Sequence, residues 1–271
     1  MTPRIAIPVP TTIDLAYNQR SWPSYTSAVA RSGGEPVEID ITASPAAIRA
    51  LVATCDGVLL PGSPADVDPA LYGQQRDPAT NPADPAREQA DRILLDDAEA
   101  RRKPVLGICY GVQSMNVWRG GSLVQDLTPV PVNHEAGSKV AIAHAALIAP
   151  DSLLASLLDP AEAPRSENGG GDFLRLPINT SHHQSVAAPG DGMRIVARCP
   201  DDGVIEALEL DPEAELFHVE QSSGDSPWFL LGVQWHPERS YEISASSRAL
   251  FDRLITEARA YATQNSLTQN S

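Results

Sequence analysis

A cysteine set between two glycines, Gly107-Ile108-Cys109-Tyr110-Gly111, is the part of this sequence best suited to chemistry. Val105-Leu106-Gly107-Ile108 reads as a short buried strand. From Tyr110 the spacing of Val112, Met115, Asn116 and Trp118 reads as a helix, which Gly120-Gly121 stops. A sulfur at that junction sits at a helix N-terminus, where unsatisfied N–H groups and the helix dipole favour thiolate over thiol. G-x-C-x-G is also the cysteine counterpart of the G-x-S-x-G elbow, whose small flanking residues allow the sharp turn that presents a nucleophile. Free cysteine is equally a residue type that is often buried for packing alone. Cys109 by itself is open to either reading.

A thiol nucleophile needs a base, and the base needs a third group to orient it. His236 and Glu238 meet both needs, because residues two apart on an extended segment point the same way. The carboxylate would fix the imidazole tautomer and stabilise the imidazolium, and Pro237 would stiffen the backbone between them. In isolation, His-Pro-Glu could equally be a loop histidine beside a solvated glutamate. An acyl intermediate further requires amide donors for its oxyanion, each worth roughly 3–4 kcal/mol. The N–H of Tyr110 is one candidate. A second comes from Pro61-Gly62-Ser63, where glycine permits close approach, although an ordinary Pro-Gly turn has the same appearance.

These segments need a scaffold that brings them to one rim. Strands are expected at 4–9, 36–40, 56–60 and 104–108, with helices at about 24–32, 45–52 and 87–102 between them. Ser44-Pro45 is an N-cap followed by proline at the first helical position. Strands alternating with helices make a doubly wound, mostly parallel α/β sheet, in which ligands bind beyond the carboxyl ends of the strands. The Pro61 loop and Cys109 both lie there. Later come a strand-like run over 140–149, a short helix over 153–158, a turn at 167–172, a hairpin of 194–199 with 204–210, a strong strand over 229–235 and a helix over 244–262. The hairpin makes a small antiparallel addition. Residues 1–262 are expected to form one domain, and the polar stretch 263–271 a disordered tail.

The composition is that of an ordinary soluble globular chain: 42% hydrophobic and 20% charged over 271 residues. A formal net charge of -15 argues against nucleic acid and anionic membrane as partners. Cys55, Cys109 and Cys199 are odd in number, widely spread and without a C-x-x-C pair, which is neither a disulfide framework nor a zinc motif. The apolar run near the N-terminus is short and broken by Pro8, and no stretch approaches the ~20 apolar residues of a membrane span. A reducing cytoplasm is the expected location.

Taken together, Pro61-Gly62-Ser63, Gly107 to Gln113 and Gly232 to Glu238 resemble the class I glutamine amidotransferase-like hydrolases, with their flavodoxin-like fold. Within them the chain is similar to the γ-glutamyl-γ-aminobutyrate hydrolase group (peptidase family C26). Asp66-Val67-Asp68-Pro69-Ala70-Leu71-Tyr72-Gly73 resembles that group's D-V-x-P-x-x-Y-G loop. Asn116 to Leu127 resembles its N-V-x-x-G-G-x-L-x-Q-x-L segment, and Asn179 to Gln184 its N-S-x-H-x-Q segment. The motifs fall in the expected order from about Ile5 to Leu254. Two positions depart from the pattern: Tyr110 where arginine is frequent, and His183 where tryptophan is. Both bear on specificity, since the oxyanion donor is a backbone group.

The resemblance implies hydrolysis of a γ-glutamyl amide such as γ-glutamyl-GABA, with Cys109 as nucleophile and His236, oriented by Glu238, as base. It implies a glutamyl thioester and no metal or organic cofactor. Gln113, Ser181 and His182 would line the glutamyl pocket beside Gly62, Ser63 and Tyr110. Arg87 could pair with a substrate carboxylate, but a surface ion pair is the simpler role for it. A homodimer is the assembly considered. Two other readings share the motifs: a glutaminase subunit that passes ammonia to a separate synthase, and a binding protein of the same fold without turnover. His134, His144 and His218 read as structural. His182-His183 alone does not make a metal site, because neighbours on a strand face opposite ways and no second cluster has ligand spacing.

Overall fold

The four-residue apolar runs at the centre of the chain are too hydrophobic for a half-exposed strand, and the fold covers them on both faces. In the computed structural model, which describes residues 1–166, 172–214 and 228–268, β3 (Gly57–Leu60), β4 (Val105–Ile108) and β11 (Leu230–Val233) are buried along their whole length. They run parallel to each other and to β1 (Arg4–Pro8) and β2 (Glu35–Ile39). The sheet continues antiparallel through β10 (Ile205–Leu210), β9 (Met193–Arg198), β6 (His144–Ile148) and β7 (Leu174–Ile178), in the order β2-β1-β3-β4-β11-β10-β9-β6-β7. A separate antiparallel pair joins β5 (Ser122–Val124) to β8 (Ser185–Ala188).

Helices α1 (Leu15–Arg31) and α7 (Ala245–Thr268) cover one face, meeting Ile5, Ile7, Leu59, Leu106 and Leu231. Helices α2 (Pro45–Val52), α3 (Pro85–Arg101) and α4 (Tyr110–Trp118) cover the other, against Ala6, Val58, Leu60 and Leu230. The alternation of Ile5, Ala6 and Ile7 between the two cores is the period-two rule of a strand. A short α5 (Leu153–Leu157) packs beside the antiparallel strands.

The doubly wound plan and the 194–210 hairpin are as expected, but the antiparallel part reaches four strands, because β6 and β7 pair through residues with weak alternation. Two helix boundaries also move. The first helix begins at Leu15 instead of Ser24: Asp14 caps it by accepting the Tyr17 N–H at 2.8 Å, and Pro23 lies inside it. Proline disfavours a helix interior, so the sequence pattern starts only beyond it. The last helix continues past Ala262 to Thr268, since the polar residues there include no glycine or proline to break it. The turn expected at 167–171 and His218 lie outside the described residues. No described helix is long and apolar enough to cross a membrane.

Candidate active site

Cys109 follows directly on β4 with φ 54° and ψ −109°, a left-handed backbone that a non-glycine residue adopts only at a cost of about 1–3 kcal/mol. Its N–H donates to Val233 O at 2.8 Å, and its carbonyl accepts from Val112 and Gln113 at the start of α4. Gly111 makes the turn possible: a Cβ there would lie 2.1 Å from Leu60 O, so any side chain would push α4 off β3. The thiol ends up buried but open to the cleft described below.

His236 stands beyond the carboxyl end of the neighbouring strand β11. Asn179 clamps its backbone, accepting the His236 N–H at 2.9 Å and donating to its carbonyl at 2.8 Å. The short helix α6 (Pro237–Ser240) carries Glu238, whose Oε1 is 2.7 Å from Nδ1 of His236. Tyr25 Oη stands 3.4 Å from the same nitrogen. Burial alone would lower the pKa of the imidazole. The Glu238 carboxylate and Cys109 together outweigh it, so the pKa stands at about 9. Burial would likewise raise Glu238, but His236 holds it below its usual range. His236 Nε2 is buried without a hydrogen-bond partner among the described residues, and Cys109 acts on the ring electrostatically.

The N–H groups of Tyr110 and Ser63 have no protein acceptor among the described residues, whereas that of Gly62 donates to Tyr25 Oη at 3.1 Å. Gly62 is therefore a spacer and not a free donor. A Cβ on it would stand 2.9 Å from Tyr25 Oη and 3.1 Å from His236 Cε1. Cys109, Tyr110, Ser63, Gln113, Ser181, His182 and His236 all line one cleft of about 330 Å³.

Within that cleft several expected pocket residues prove to be committed elsewhere. The Gln113 amide donates to Gln184 O at 3.0 Å and Gln234 Oε1 at 3.1 Å. His182 has Nδ1 2.9 Å from Gln184 O. The Tyr110 ring packs in the core beneath Arg87. His183 sits at the rim, with Nε2 3.0 Å from Asp66 and 3.1 Å from Asn81.

Arg87 departs furthest from expectation. It is fully buried, not a surface ion pair, and it bonds Asp91 at 2.7 Å, Pro10 O at 2.8 Å and Pro61 O at 2.6 Å. Its guanidinium lies 4.7 Å from the Tyr110 ring centre. It thus ties together the two segments that carry the free amide donors, without reaching the cleft. Arg87→Met leaves Asp91 buried without its cation and is expected to cost about 3–5 kcal/mol, measured as a fall in denaturation midpoint.

Four neighbours were given no site role by the sequence, although Asn179 and Gln234 lie within its motifs. Tyr25 holds Gly62 and faces His236. Asn179 fixes the His236 backbone. Gln234, two residues before His236 on the same strand face, points Nε2 at the Cys109 sulfur at 3.6 Å. Arg239, next to Glu238, lines the cleft with its Nη1 buried and unpartnered. The period-two spacing from His236 was a further clue to Gln234.

This sheet, with a cysteine elbow beside a histidine–glutamate pair at its carboxyl rim, has the fold of the glutamine amidotransferases. A candidate GMP synthase component from Thermoplasma acidophilum superposes with a TM-score of 0.59 at 12% identity, covering 98% of each chain. The Peptidase C26 family model matches residues 11–238, and the chain belongs to that family of glutamine amidotransferase-like hydrolases. It is 32% identical over 239 residues to a γ-glutamyl-γ-aminobutyrate hydrolase of Escherichia coli K12, across 86% of this chain and 84% of that one. It is 36% identical over 203 residues to a candidate glutamine amidotransferase of Mycobacterium tuberculosis, across 74% of this chain and 55% of the other.

Proposed function

We propose that the protein hydrolyses γ-glutamyl amides, γ-glutamyl-GABA or a related γ-glutamyl amine, through a thioester on Cys109. The observation that carries the reading is the meeting, in one cleft, of a cysteine on a strained elbow, a buried histidine–glutamate pair and two unengaged amide donors. The name of the E. coli relative supports the substrate class. In this mechanism the sulfur attacks the γ-carbonyl and its proton resides on His236. The N–H groups of Ser63 and Tyr110 receive the oxyanion. His236 then protonates the departing amine, which leaves glutamate bound as a thioester. Water, deprotonated by the same imidazole, releases the glutamate and restores the thiol.

Arg239 is the cation available to the substrate α-carboxylate, and Glu135, which also lines the cleft, is available to its α-ammonium. A charge-assisted hydrogen bond to substrate is worth about 1.5–3 kcal/mol. Arg239→Gln is accordingly expected to raise KM about 10–100-fold with a much smaller change in kcat. Steady-state rates over a range of γ-glutamyl amide concentrations check this, and an unchanged KM would remove Arg239 from the substrate site.

The test of the function is glutamate release from a panel of γ-glutamyl amides and from glutamine. Turnover of the amides by the chain alone supports the proposal. Ammonia release from glutamine that requires a second protein would replace it with a glutaminase subunit.

A further inference from the structure

The antiparallel half of the sheet holds a buried cluster that the mechanism leaves unused. Glu206, on the central strand β10, is completely buried, and neither of its carboxylate oxygens has a hydrogen-bond partner among the described residues. Three imidazole nitrogens face its Oε1: Nδ1 of His134 at 3.5 Å, Nε2 of His144 at 3.6 Å and Nε2 of His182 at 4.0 Å. All three nitrogens are themselves buried and unpartnered. They come from a loop, from β6 and from the segment before β8, so no local spacing advertises them.

The outward nitrogen of each ring settles what the inward one presents. His134 Nε2 is 2.9 Å from the Asp202 carboxylate, His144 Nδ1 is 3.2 Å from Ala145 O, and His182 Nδ1 is 2.9 Å from Gln184 O. These partners can only accept, so each outward nitrogen carries a proton, and each ring in its neutral form presents a lone pair inward. Proton sharing alone does not satisfy this arrangement. A protonated Glu206 has one O–H and can serve one nitrogen, which leaves two buried lone pairs without a donor.

A metal ion satisfies all four groups together. Zinc bonds of about 2.0–2.2 Å place neighbouring tetrahedral ligands about 3.3–3.6 Å apart. The ligand atoms of His134, His144 and Glu206 already lie within 4.8 Å of one another, and His182 Nε2, 4.0 Å from Glu206, has to be drawn inward to complete the set. A carboxylate or carbonyl behind each ligating histidine is the usual outer support of a metal site. Three imidazoles and one carboxylate suit zinc and its transition-metal neighbours and do not suit magnesium or calcium, which take oxygen donors.

We propose that His134, His144, His182 and Glu206 form a closed site for one divalent transition metal ion, zinc by ligand type. Four protein ligands leave no open position, so the ion is structural. It would lock His182, and through it a wall of the active-site cleft, to the antiparallel strands. An alternative trio of His134, Cys199 and Asp202 shares His134 with this site, and a thiolate charge-transfer band would report it.

The test uses the full chain carrying Cys109→Ala, so that the cleft thiol cannot compete for metal. The protein is stripped with chelator, reloaded with Zn²⁺ or Co²⁺, freed of loose metal and assayed for metal content and absorption. One equivalent per chain is expected, with the d–d bands of a four-coordinate nitrogen–oxygen cobalt site and no thiolate charge-transfer band. His144→Ala and Glu206→Gln are each expected to weaken zinc binding more than the about 10–100-fold typical of an outer-shell change, with circular dichroism unchanged. Less than a tenth of an equivalent in the parent overturns the proposal. So does a thiolate band, or binding that both variants leave intact. If a variant fails to fold, the stoichiometry and cobalt spectrum of the parent decide.

Discussion

Cys109→Ala is expected to lower glutamate release from γ-glutamyl amides by about 10⁴-fold or more, because no second thiol lines the cleft among the described residues. The residual rate would come from binding and the two amide donors acting on water. The elbow itself should survive. The left-handed backbone at position 109 is set by the hydrogen bond to Val233, the contacts at the start of α4 and the tight packing of Gly111 on Leu60. Alanine fits the same turn, so stability is expected to change by no more than about 1–2 kcal/mol. Rate and thermal melting measured on the same preparation separate loss of chemistry from loss of fold.

Glu238→Gln should have the next largest effect, a fall in kcat of about 10³–10⁴-fold. Glutamine keeps the size of the side chain but loses the charge that holds His236 protonated. In the native protein the imidazole stands near 9 against an ordinary 6.5, so it is charged at neutral pH and can protonate the departing amine. The rate should therefore decline as pH rises through about 9, with the histidine–glutamate pair titrating as a unit. Without the carboxylate, burial is left to lower the ring, and the alkaline limb should move down by about 1–3 pH units.

Stability follows the same signs. The raised histidine contributes fully below its ordinary 6.5, and that contribution is lost as pH climbs through about 9. The depressed glutamate contributes above its ordinary 4.5, and that contribution is lost as pH falls through its lowered folded value. The pair stabilises the fold most between 4.5 and 6.5. A pH–rate profile and melting curves for wild type and variant check both statements.

Local pattern carried much of the account. The elbow at Cys109 and the spacing of His236 and Glu238 were visible because chemistry of this kind needs particular residues at short separations. The parallel strands were visible because burial on both faces demands unbroken apolar runs. What escaped notice depends on contacts between distant segments. Arg87 reads as a surface charge until the fold wraps Pro10, Pro61 and Asp91 around it. Gly62 reads as an oxyanion donor until Tyr25, from a helix whose start lies before a proline, takes its N–H. The histidines read as unrelated until β6 and β10 are drawn into one sheet around Glu206. A side chain's partner is a property of the topology, and periodicity does not encode it.

The most direct test of the mechanism is acid quenching of the enzyme during turnover of a γ-glutamyl amide, followed by peptide mass spectrometry. The expected result is one glutamyl group on the peptide that contains Cys109, removable by hydroxylamine and absent from Cys109→Ala. A glutamyl group on another residue, or undiminished turnover by the alanine variant, would contradict it.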